Sequence, residues 1–221
     1  DGCAKDDYEL YFAWCCVWAF GGALFKDQLV DWREEFSKWW MTEFKTVKFP
    51  STGNVFEYFI RTEDKKFVAW SEKVASFEYD PELPVSAQMV ATAETTRLRF
   101  WMDKFTDLGR PVVLVGAPGT GKTAAINDQL HHLDNEDWAL CKTSFNHFTI
   151  HHTIQAVLEA PLEKKAGKNY GPPGSKRLIY FIDDLNMPQV DLYGTQSPHT
   201  LMRQVCDYNH WYDRVKKSLR V

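Results

Sequence analysis

One eight-residue stretch constrains this chain more than any other part of it. Residues 116–123 read Gly-Ala-Pro-Gly-Thr-Gly-Lys-Thr, which matches the pattern G-x-x-x-x-G-K-[ST], and the apolar run 112–115 comes directly before it. A glycine-rich turn between a strand and a helix presents backbone N–H groups to an anion, and the helix adds the positive end of its dipole. The pattern therefore predicts a strand over 112–115, a phosphate-binding loop, and a helix from about Lys122 to His132.

Each position in this loop has an expected role. Glycines at 116, 119 and 121 allow positive φ and a close approach of the backbone to an anion. Lys122 is expected to reach the β- and γ-phosphates as a catalytic group, and the hydroxyl of Thr123 is expected to bind Mg²⁺. The expected binding set is the whole loop with the residue after it: Gly116, Ala117, Pro118, Gly119, Thr120, Gly121, Lys122, Thr123 and Ala124.

A second signature of phosphate chemistry lies downstream of the loop. The run 178–182 is continuously apolar, which is typical of a strand buried on both faces, and it ends in Asp183 and Asp184. Two adjacent carboxylates repel each other unless a cation lies near them. We therefore expect Asp183 to bind Mg²⁺ beside Thr123, and Asp184 to polarise an attacking water as the catalytic base. The alternative is a strand-end turn in which aspartate only caps the backbone.

Charge and cysteine content argue against several classes of protein. The 221 residues carry a net charge of −4, which argues against a general nucleic-acid-binding protein. The cysteines are odd in number and show no C-x-x-C spacing, so neither a disulfide framework nor a zinc site is indicated. They are Cys3, Cys15, Cys16, Cys141 and Cys206. Because the chain begins with Asp1 rather than Met, we expect it to be a piece of a longer protein.

An apolar run near the start of the chain raises the question of a membrane segment. Residues 10–20 are fewer than the about 20 that a span needs, and Gly21, Gly22 and Lys26 follow them. No basic region precedes the run, as one does in a signal peptide. We therefore expect a buried helix over residues 7–20 and no membrane partner.

The next segments predict a helix and a hairpin. Residues 25–44 place large apolar side chains at alternating steps of four and three, which predicts an amphipathic helix whose aromatic stripe is either a core face, the favoured interpretation, or a partner-binding face. Two apolar stretches, 55–60 and 66–70, flank a polar turn and predict a hairpin, and a proline-containing linker follows at 79–84. The expected division is a helical segment over 1–46, the hairpin and linker over 47–80, and a nucleotide-binding domain over 81–221.

The remainder of the chain alternates helices and strands. Thr92 is expected to cap a helix that ends at Gly109, and a strand over 138–145 and a helix over 153–162 follow the phosphate loop. The basic loop 163–177 is expected to be a solvated excursion, with a second phosphate contact as the alternative. A last helix is expected to have Ser197 as its N-cap and Pro198 at its first position. This alternation predicts an α/β fold with a doubly wound parallel sheet and the nucleotide at the carboxyl ends of its strands.

Several longer segments resemble one known family, the axonemal dynein heavy chains. These segments are 179–188, which reads Ile-Tyr-Phe-Ile-Asp-Asp-Leu-Asn-Met-Pro, together with 193–195, 198–200, 210–213 and the loop 161–174. Within that family they resemble the third AAA+ module of the motor ring. Residues 18–22, 36–40 and 47–50 resemble the end of the second module and its passage into the third. The resemblance covers nearly the whole chain.

This resemblance implies a function and a set of partners. It implies a P-loop NTPase domain of the AAA+ type, incomplete in this chain, within an ATP-driven, minus-end-directed microtubule motor that powers ciliary and flagellar beating. The implied cofactors are ATP or ADP with Mg²⁺. The implied partners are the neighbouring AAA+ modules of the same heavy chain and, through the full-length protein, the microtubule and the dynein intermediate and light chains of the axoneme. By matching position, residues 116–123 are the Walker A loop, Asp183 is the Walker B carboxylate, and Val90 and Thr92 lie along the adenine.

One departure from the general AAA+ pattern affects the expected activity. The residue after the Walker B aspartate is usually Glu, and here it is Asp184, whose carboxylate sits one methylene further back. Because a shift of about 1 Å can lower a rate on the order of a hundredfold, slow turnover or retention of nucleotide is the alternative to hydrolysis. The sensor strand, the helical lid and the Arg finger of the family are expected outside this chain. A small GTPase would carry an N-K-x-D motif, which the sequence lacks.

Overall fold

A computed structural model of the chain describes residues 4–82, 84–85 and 88–221. Cys3 and Leu83, the latter part of the expected linker, lie outside the described residues. The chain forms two units, the first ending at Lys104 and the second running from Phe105 to Val221. The domain limits expected from the sequence, 1–46, 47–80 and 81–221, stay a prediction.

The first helix, α1, spans Lys5–Gly21. It begins where Ala4 N donates to Asp7 Oδ2 and ends where Gly22 N donates to Trp18 O, so the helix expected over residues 7–20 is confirmed. The expectation that this helix is buried is wrong, because only one face packs. That face carries Trp14 and Val17, whereas the aromatic side chains of Tyr8, Phe12 and Phe20 are exposed. No helix in the described ranges is both long enough and apolar enough to cross a membrane.

The second helix, α2, spans Trp32–Glu43 and begins seven residues later than the periodicity predicts (Phe25 to Trp32). Asp27 Oδ1 accepts hydrogen bonds from Leu29 N and Val30 N, both 2.7 Å, which folds the preceding residues into a turn. Asp31 then caps the helix by accepting from Arg33 N at 3.1 Å. These local side-chain contacts compete successfully with the helix, so the prediction for residues 25–31 is wrong.

A hairpin lies at the centre of the first unit. Its strands, β1 (Tyr58–Arg61) and β2 (Lys66–Ala69), pair antiparallel with Tyr58 opposite Ala69, as the sequence predicts. Short 3₁₀ turns, Val55–Glu57 and Trp70–Lys73, flank the two strands. Trp14 Nε1 donates to Tyr58 O at 3.0 Å, which attaches α1 to the hairpin.

The third helix, α3, spans Ala93–Asp107 and begins as expected. Thr92 Oγ1 accepts from Thr95 N at 3.2 Å, so Thr92 caps the helix. Its aromatic residues complete the core of the first unit. The ring of Trp101 stacks on Trp14 at 5.0 Å, and Phe100 meets Trp70 edge-on at 5.3 Å.

The second unit contains the parallel sheet that the sequence predicts, with two strands in the described residues. These strands, β3 (Trp138–Ser144) and β6 (Arg177–Asp183), pair in parallel with Ser144 opposite Asp183. Strand β6 was expected to be buried on both faces, but its residues 178–183 are only half-buried, because each face of a two-stranded sheet is partly covered.

The strand expected before the phosphate loop is not formed. Residues 112–115 carry no strand pairing, and Val113 and Val115 are exposed. An extended segment becomes a strand only when another strand accepts and donates its backbone hydrogen bonds. In the described part of the chain β3 and β6 pair with each other and with no further strand, so the prediction for residues 112–115 is wrong.

Three helices accompany this sheet. They are α4 (Lys122–His131), α5 (His151–Glu159) and α6 (Ser197–Tyr208). Helix α5 begins and ends earlier than the expected 153–162, and its Ile154 and Leu158 pack with Phe145, Leu201 and Trp211 in the core of the unit. Ser197 is not the N-cap of α6, since Gln196 occupies that position. Its Oγ instead accepts from His151 N at 3.3 Å, at the start of α5.

Two short hairpins complete the second unit. The loop 163–177 contains β4 (Glu163–Lys164) and β5 (Tyr170–Gly171), and the second hairpin consists of β7 (Trp211–Tyr212) and β8 (Leu219–Arg220). Tyr170 N donates to Val221 O at 2.8 Å and Val221 N donates to Lys168 O at 3.0 Å, which joins the two hairpins. The loop is therefore partly ordered by pairing, and most of its residues are exposed, as expected of a solvated excursion.

Candidate nucleotide-binding site

The loop 116–123 adopts the backbone conformation that glycine permits at two of its three glycine positions. Gly119 has φ of 75° and Gly121 has φ of 82°, both in the left-handed region. The positive φ expected at Gly116 is wrong, and a Cβ there would make ordinary contacts, 3.6 Å from Thr120 Oγ1. Thr120 Oγ1 donates to Ala117 O at 2.9 Å and closes the turn. Pro118 lies within this turn.

The first turn of α4 presents its backbone donors to this loop. Gly121 is the N-cap, and no side chain caps the helix there. The N–H groups of Lys122, Thr123 and Ala124 have no carbonyl within the helix to bind, because the i→i−4 pattern begins with Ala125 N, which donates to Gly121 O at 2.9 Å. Uncapped donors at the positive end of a helix dipole fit an anion.

The side chain of Lys122 folds back over the phosphate-binding loop. Its Nζ donates to Gly116 O at 2.9 Å and to Ala117 O at 2.7 Å, and Thr120 Oγ1 lies 3.4 Å away. These contacts hold a cationic group directly above the glycine-rich turn. A phosphate in the turn would compete with the two carbonyls for the ammonium, because its anionic oxygens add the attraction between opposite charges to the hydrogen bond.

Thr123 and Asp183 meet across the site. Thr123 Oγ1 donates to Asp183 Oδ2 at 2.9 Å, which joins the start of α4 to the carboxyl end of β6. A hydroxyl and a carboxylate are the hard oxygen ligands that Mg²⁺ prefers, so the residues present fit this cation. No group of three or more His, Cys, Asp or Glu side chains within the described ranges is placed to hold a metal. Phosphate oxygens and water would supply the other ligands.

Asp184 points in a different direction from Asp183. Its backbone is left-handed, with φ of 53°, a conformation that aspartate tolerates better than most residues. Its N donates to Asp183 Oδ1 at 3.0 Å, and its Oδ2 accepts from Ser144 Oγ at 3.2 Å. The two adjacent carboxylates are thereby held apart, one toward α4 and the other toward β3.

Sequence reasoning missed Ser144. It is the last residue of β3, and the parallel register places it opposite Asp183. The expected strand over 138–145 contained the signal, because neighbouring parallel strands end at the same edge of a sheet. A polar residue at that strand end was therefore a candidate for contact with the aspartate pair.

The residues expected along the adenine lie in the other unit of the chain. Val90 is exposed, and the hydroxyl of Thr92 is used to cap α3. The phosphate loop lies in the second unit. The roles of Val90 and Thr92 stay a prediction, as do the roles of the loop residues toward a nucleotide.

Comparison with known proteins places the chain in a family. The family model described as the P-loop containing dynein motor region matches residues 77–221, and the model of the dynein heavy chain AAA lid domain matches residues 3–72. The ciliary dynein beta chains of Heliocidaris crassispina and Tripneustes gratilla are 59% and 60% identical to this chain over 218 residues. Dynein axonemal heavy chain 9 of Homo sapiens is 57% identical over the same length.

These matches differ greatly in how much of each protein they cover. They include 99% of this chain but only 5% of each of these three relatives. The α/β fold with its parallel sheet agrees with the P-loop region that the family model describes. The chain belongs to the dynein heavy chain family, and it spans one twentieth of the length of these relatives.

Proposed function

We propose that residues 116–124, with Asp183, bind ATP or ADP together with Mg²⁺. The observation that carries this proposal is the 2.9 Å hydrogen bond between Thr123 and Asp183, because it joins the phosphate loop to the strand end that holds the second signature. The uncapped start of α4 and the left-handed glycines at 119 and 121 support it. The family match over residues 77–221 supports a nucleotide as the phosphate ligand.

Each of these residues would make a specific contact with the nucleotide or the cation. The phosphates would lie against the N–H groups at the start of α4, and the Lys122 ammonium would exchange its hydrogen bonds to the carbonyls of Gly116 and Ala117 for hydrogen bonds to the β- and γ-phosphates. Thr123 and Asp183 would hold the cation, which would supply positive charge beside the phosphates. Asp184 would orient the water that attacks the γ-phosphate, and Val90 and Thr92 would lie along the adenine.

At the level of the whole protein, the chain is proposed to be part of the third AAA+ module of an axonemal dynein heavy chain. That protein would be an ATP-driven, minus-end-directed microtubule motor in cilia and flagella. The neighbouring modules of the same heavy chain are its immediate partners, and the microtubule and the intermediate and light chains act through the full-length protein. The names of the relatives, ciliary and axonemal dynein chains, support this assignment.

A regulatory module that binds nucleotide with little hydrolysis is the second candidate function. The contact between Asp184 and Ser144 favours it, because it turns the expected base toward β3. The aspartate side chain is also one methylene shorter than the usual glutamate at this position.

The first experiment tests nucleotide binding by density in maps of the intact motor ring with Mg-ATP. Lys122→Ala removes a charge-assisted contact worth about 1.5–3 kcal/mol, so we expect affinity to fall roughly 10- to 150-fold and nucleotide density at this loop to be lost at limiting ATP. Lys176→Ala is the matched control. The Lys176 ammonium also donates to a backbone carbonyl, that of Asn135, but Lys176 is not part of the loop 116–123. Unchanged density at the loop in the Lys122→Ala ring would contradict the proposed site.

A second experiment separates hydrolysis from regulation. Phosphate release by the ring is compared for the unaltered chain and for Asp184→Asn, which removes the charge and keeps the size of the side chain. General base catalysis predicts a loss of about 10²–10⁴-fold at this site. Unchanged turnover with unchanged nucleotide density would assign the site to regulation.

A further inference from the structure

A cavity in the second unit lies outside the phosphate-binding loop 116–123, called the nucleotide loop below, and has no assigned role. Its volume is about 320 Å³, and it lies between the start of α5, the first turns of α6 and the β7–β8 hairpin. The lining is His151, Ser197, Thr200, Gln204 and Arg214, with Thr195 and Leu201. This lining contains a guanidinium, an imidazole and three hydroxyls, and it contains no carboxylate. The absence of acid is notable in a chain whose net charge is −4.

Arg214 is held in place by a buried amide. Its Nε donates to Gln155 Oε1 at 2.6 Å, and Gln155 is only 3% exposed. The orientation of that amide is determined by its other end, because Gln155 Nε2 donates to Glu159 Oε1 and to Tyr212 O, both at 2.8 Å. Among the described residues, the structure gives the two terminal amino groups of Arg214 no acceptor. An arginine fixed through Nε keeps those donors available for a planar or tetrahedral oxyanion.

Two helix starts reinforce the positive potential of this cavity. His151 is the first residue of α5 and Ser197 is the first residue of α6, and neither helix has a side-chain cap. Ser197 Oγ already accepts from His151 N at 3.3 Å, so its own proton can be donated to a ligand. The pKa of His151 is lowered by burial and by the charges of Arg214 and His152. An anion in the cavity would offset that charge.

We propose that this cavity is a second oxyanion-binding site, separate from the nucleotide loop. Its volume is far larger than the roughly 30 Å³ that one water occupies, so a hydrated phosphate fits. Helices α5 and α6 follow β3 and β6 in the chain, and the hydrogen bond from His151 N to Ser197 Oγ brings their first residues together. Free phosphate and a carboxylate from another segment of the heavy chain share the required chemistry, and the experiment distinguishes these two sources.

The test measures binding of radiolabelled inorganic phosphate to the full heavy chain by equilibrium dialysis. All variants carry Lys122→Ala, so that binding at the nucleotide loop does not contribute and failure of one site leaves the other testable. We expect Arg214→Ala to remove one bound phosphate per chain, or to weaken it at least tenfold. Arg203→Ala, on an exposed position of α6 that does not line the cavity, is the matched control and should retain the phosphate.

A second variant controls for misfolding of Arg214→Ala. Thr200→Glu places a carboxylate in the lining while leaving the contact of Arg214 with Gln155 intact, and it should also remove one phosphate. A density map of the heavy chain with added phosphate identifies the source of the oxyanion. It shows either phosphate density beside Arg214 or a carboxylate of another segment at that position. Either result supports the site. A cavity without any oxyanion, with phosphate binding in Arg214→Ala and in Thr200→Glu equal to that of the Arg203→Ala control, would overturn it.

Discussion

The aromatic core of the first unit and the sheet edge of the second unit are stabilised in opposite ways. In the core, Trp70 is 2% exposed, and its ring contacts Phe59 and Phe100 at 4.9 and 5.3 Å. At the sheet edge, Thr123 and Asp184 face solvent, and Val115, just before the phosphate-binding loop, is 92% exposed. The core obtains its stability from buried apolar area, whereas the edge holds polar groups in position through a few hydrogen bonds. The aromatic core therefore stabilises the first unit, and the sheet edge carries the polar groups proposed to bind a nucleotide.

The same contrast appears in the polar atoms of the two regions. In the described core, the indole N–H groups of Trp18, Trp40 and Trp70 are buried and the structure gives them no acceptor. A buried group without a partner costs about 1–3 kcal/mol, which the burial of large aromatic rings has to offset. At the sheet edge, Lys122 donates to Gly116 O and Thr123 donates to Asp183 Oδ2, although both hydrogen bonds are exposed to solvent. Such contacts can be exchanged for contacts with a ligand at a small cost.

The largest expected effect comes from the core. Trp70→Ala removes a fully packed indole, and we expect the free energy of local unfolding to fall by about 3–5 kcal/mol. Hydrogen exchange of the β1 and β2 amides in the heavy chain should then accelerate between about a hundred- and several thousand-fold. The exchange of residues 116–123 should not change.

Trp70→Phe is the control for this comparison. It keeps an aromatic ring and removes the indole N–H that has no described acceptor, so the loss should stay below about 1.5 kcal/mol. Equal acceleration in the two variants would mean that the size of the side chain does not govern the stability of this core.

The next effect concerns the sheet edge and the length of the residue 184 side chain. Asp184→Glu moves the carboxylate forward by one methylene, and we expect phosphate release at this site to rise up to about a hundredfold with unchanged nucleotide density. Part of this gain is offset because the left-handed backbone at this position, φ of 53°, costs glutamate roughly 1–2 kcal/mol. A fall in turnover to the level of Asp184→Asn would show that reach is not the limiting factor.

A smaller effect is expected from the neighbouring strand. Ser144→Ala removes the hydroxyl that donates to Asp184 Oδ2 at 3.2 Å, a contact worth about 1 kcal/mol, so turnover should fall up to roughly fivefold while nucleotide binding is retained. Ser144→Thr keeps the hydroxyl and should retain the rate. A turnover that rises in Ser144→Ala would contradict a positioning role and assign Ser144 to restraint of the base.

The sequence predicted those parts of the molecule whose structure depends on residues close together in the chain. The glycine-rich motif predicted α4, and the apolar runs beside polar turns predicted the hairpin and β6. The prediction failed for residues 25–31, where the side chain of Asp27 organises a turn, and for residues 112–115, whose strand character depends on a distant partner. The contact between Ser144 and Asp184 also depends on register between strands, which periodicity within one segment cannot supply.

The smallest expected effect concerns the polar contacts of Asp213, which affect the stability of the β7–β8 hairpin. The pKa of Asp213 is lowered to about 2, first by the N–H of Lys216 that its carboxylate accepts and then by Arg220. Because this pKa lies below the ordinary value of about 3.9, the stabilisation is fully present above pH 4 and is lost as the pH falls through about 2. We expect pepsin cleavage of the β7–β8 hairpin to accelerate between pH 4 and pH 2, relative to a reference peptide. In Asp213→Asn the hairpin should be cleaved quickly at pH 4 already and show little further change, whereas an unaltered pH dependence would mean that another carboxylate controls this hairpin.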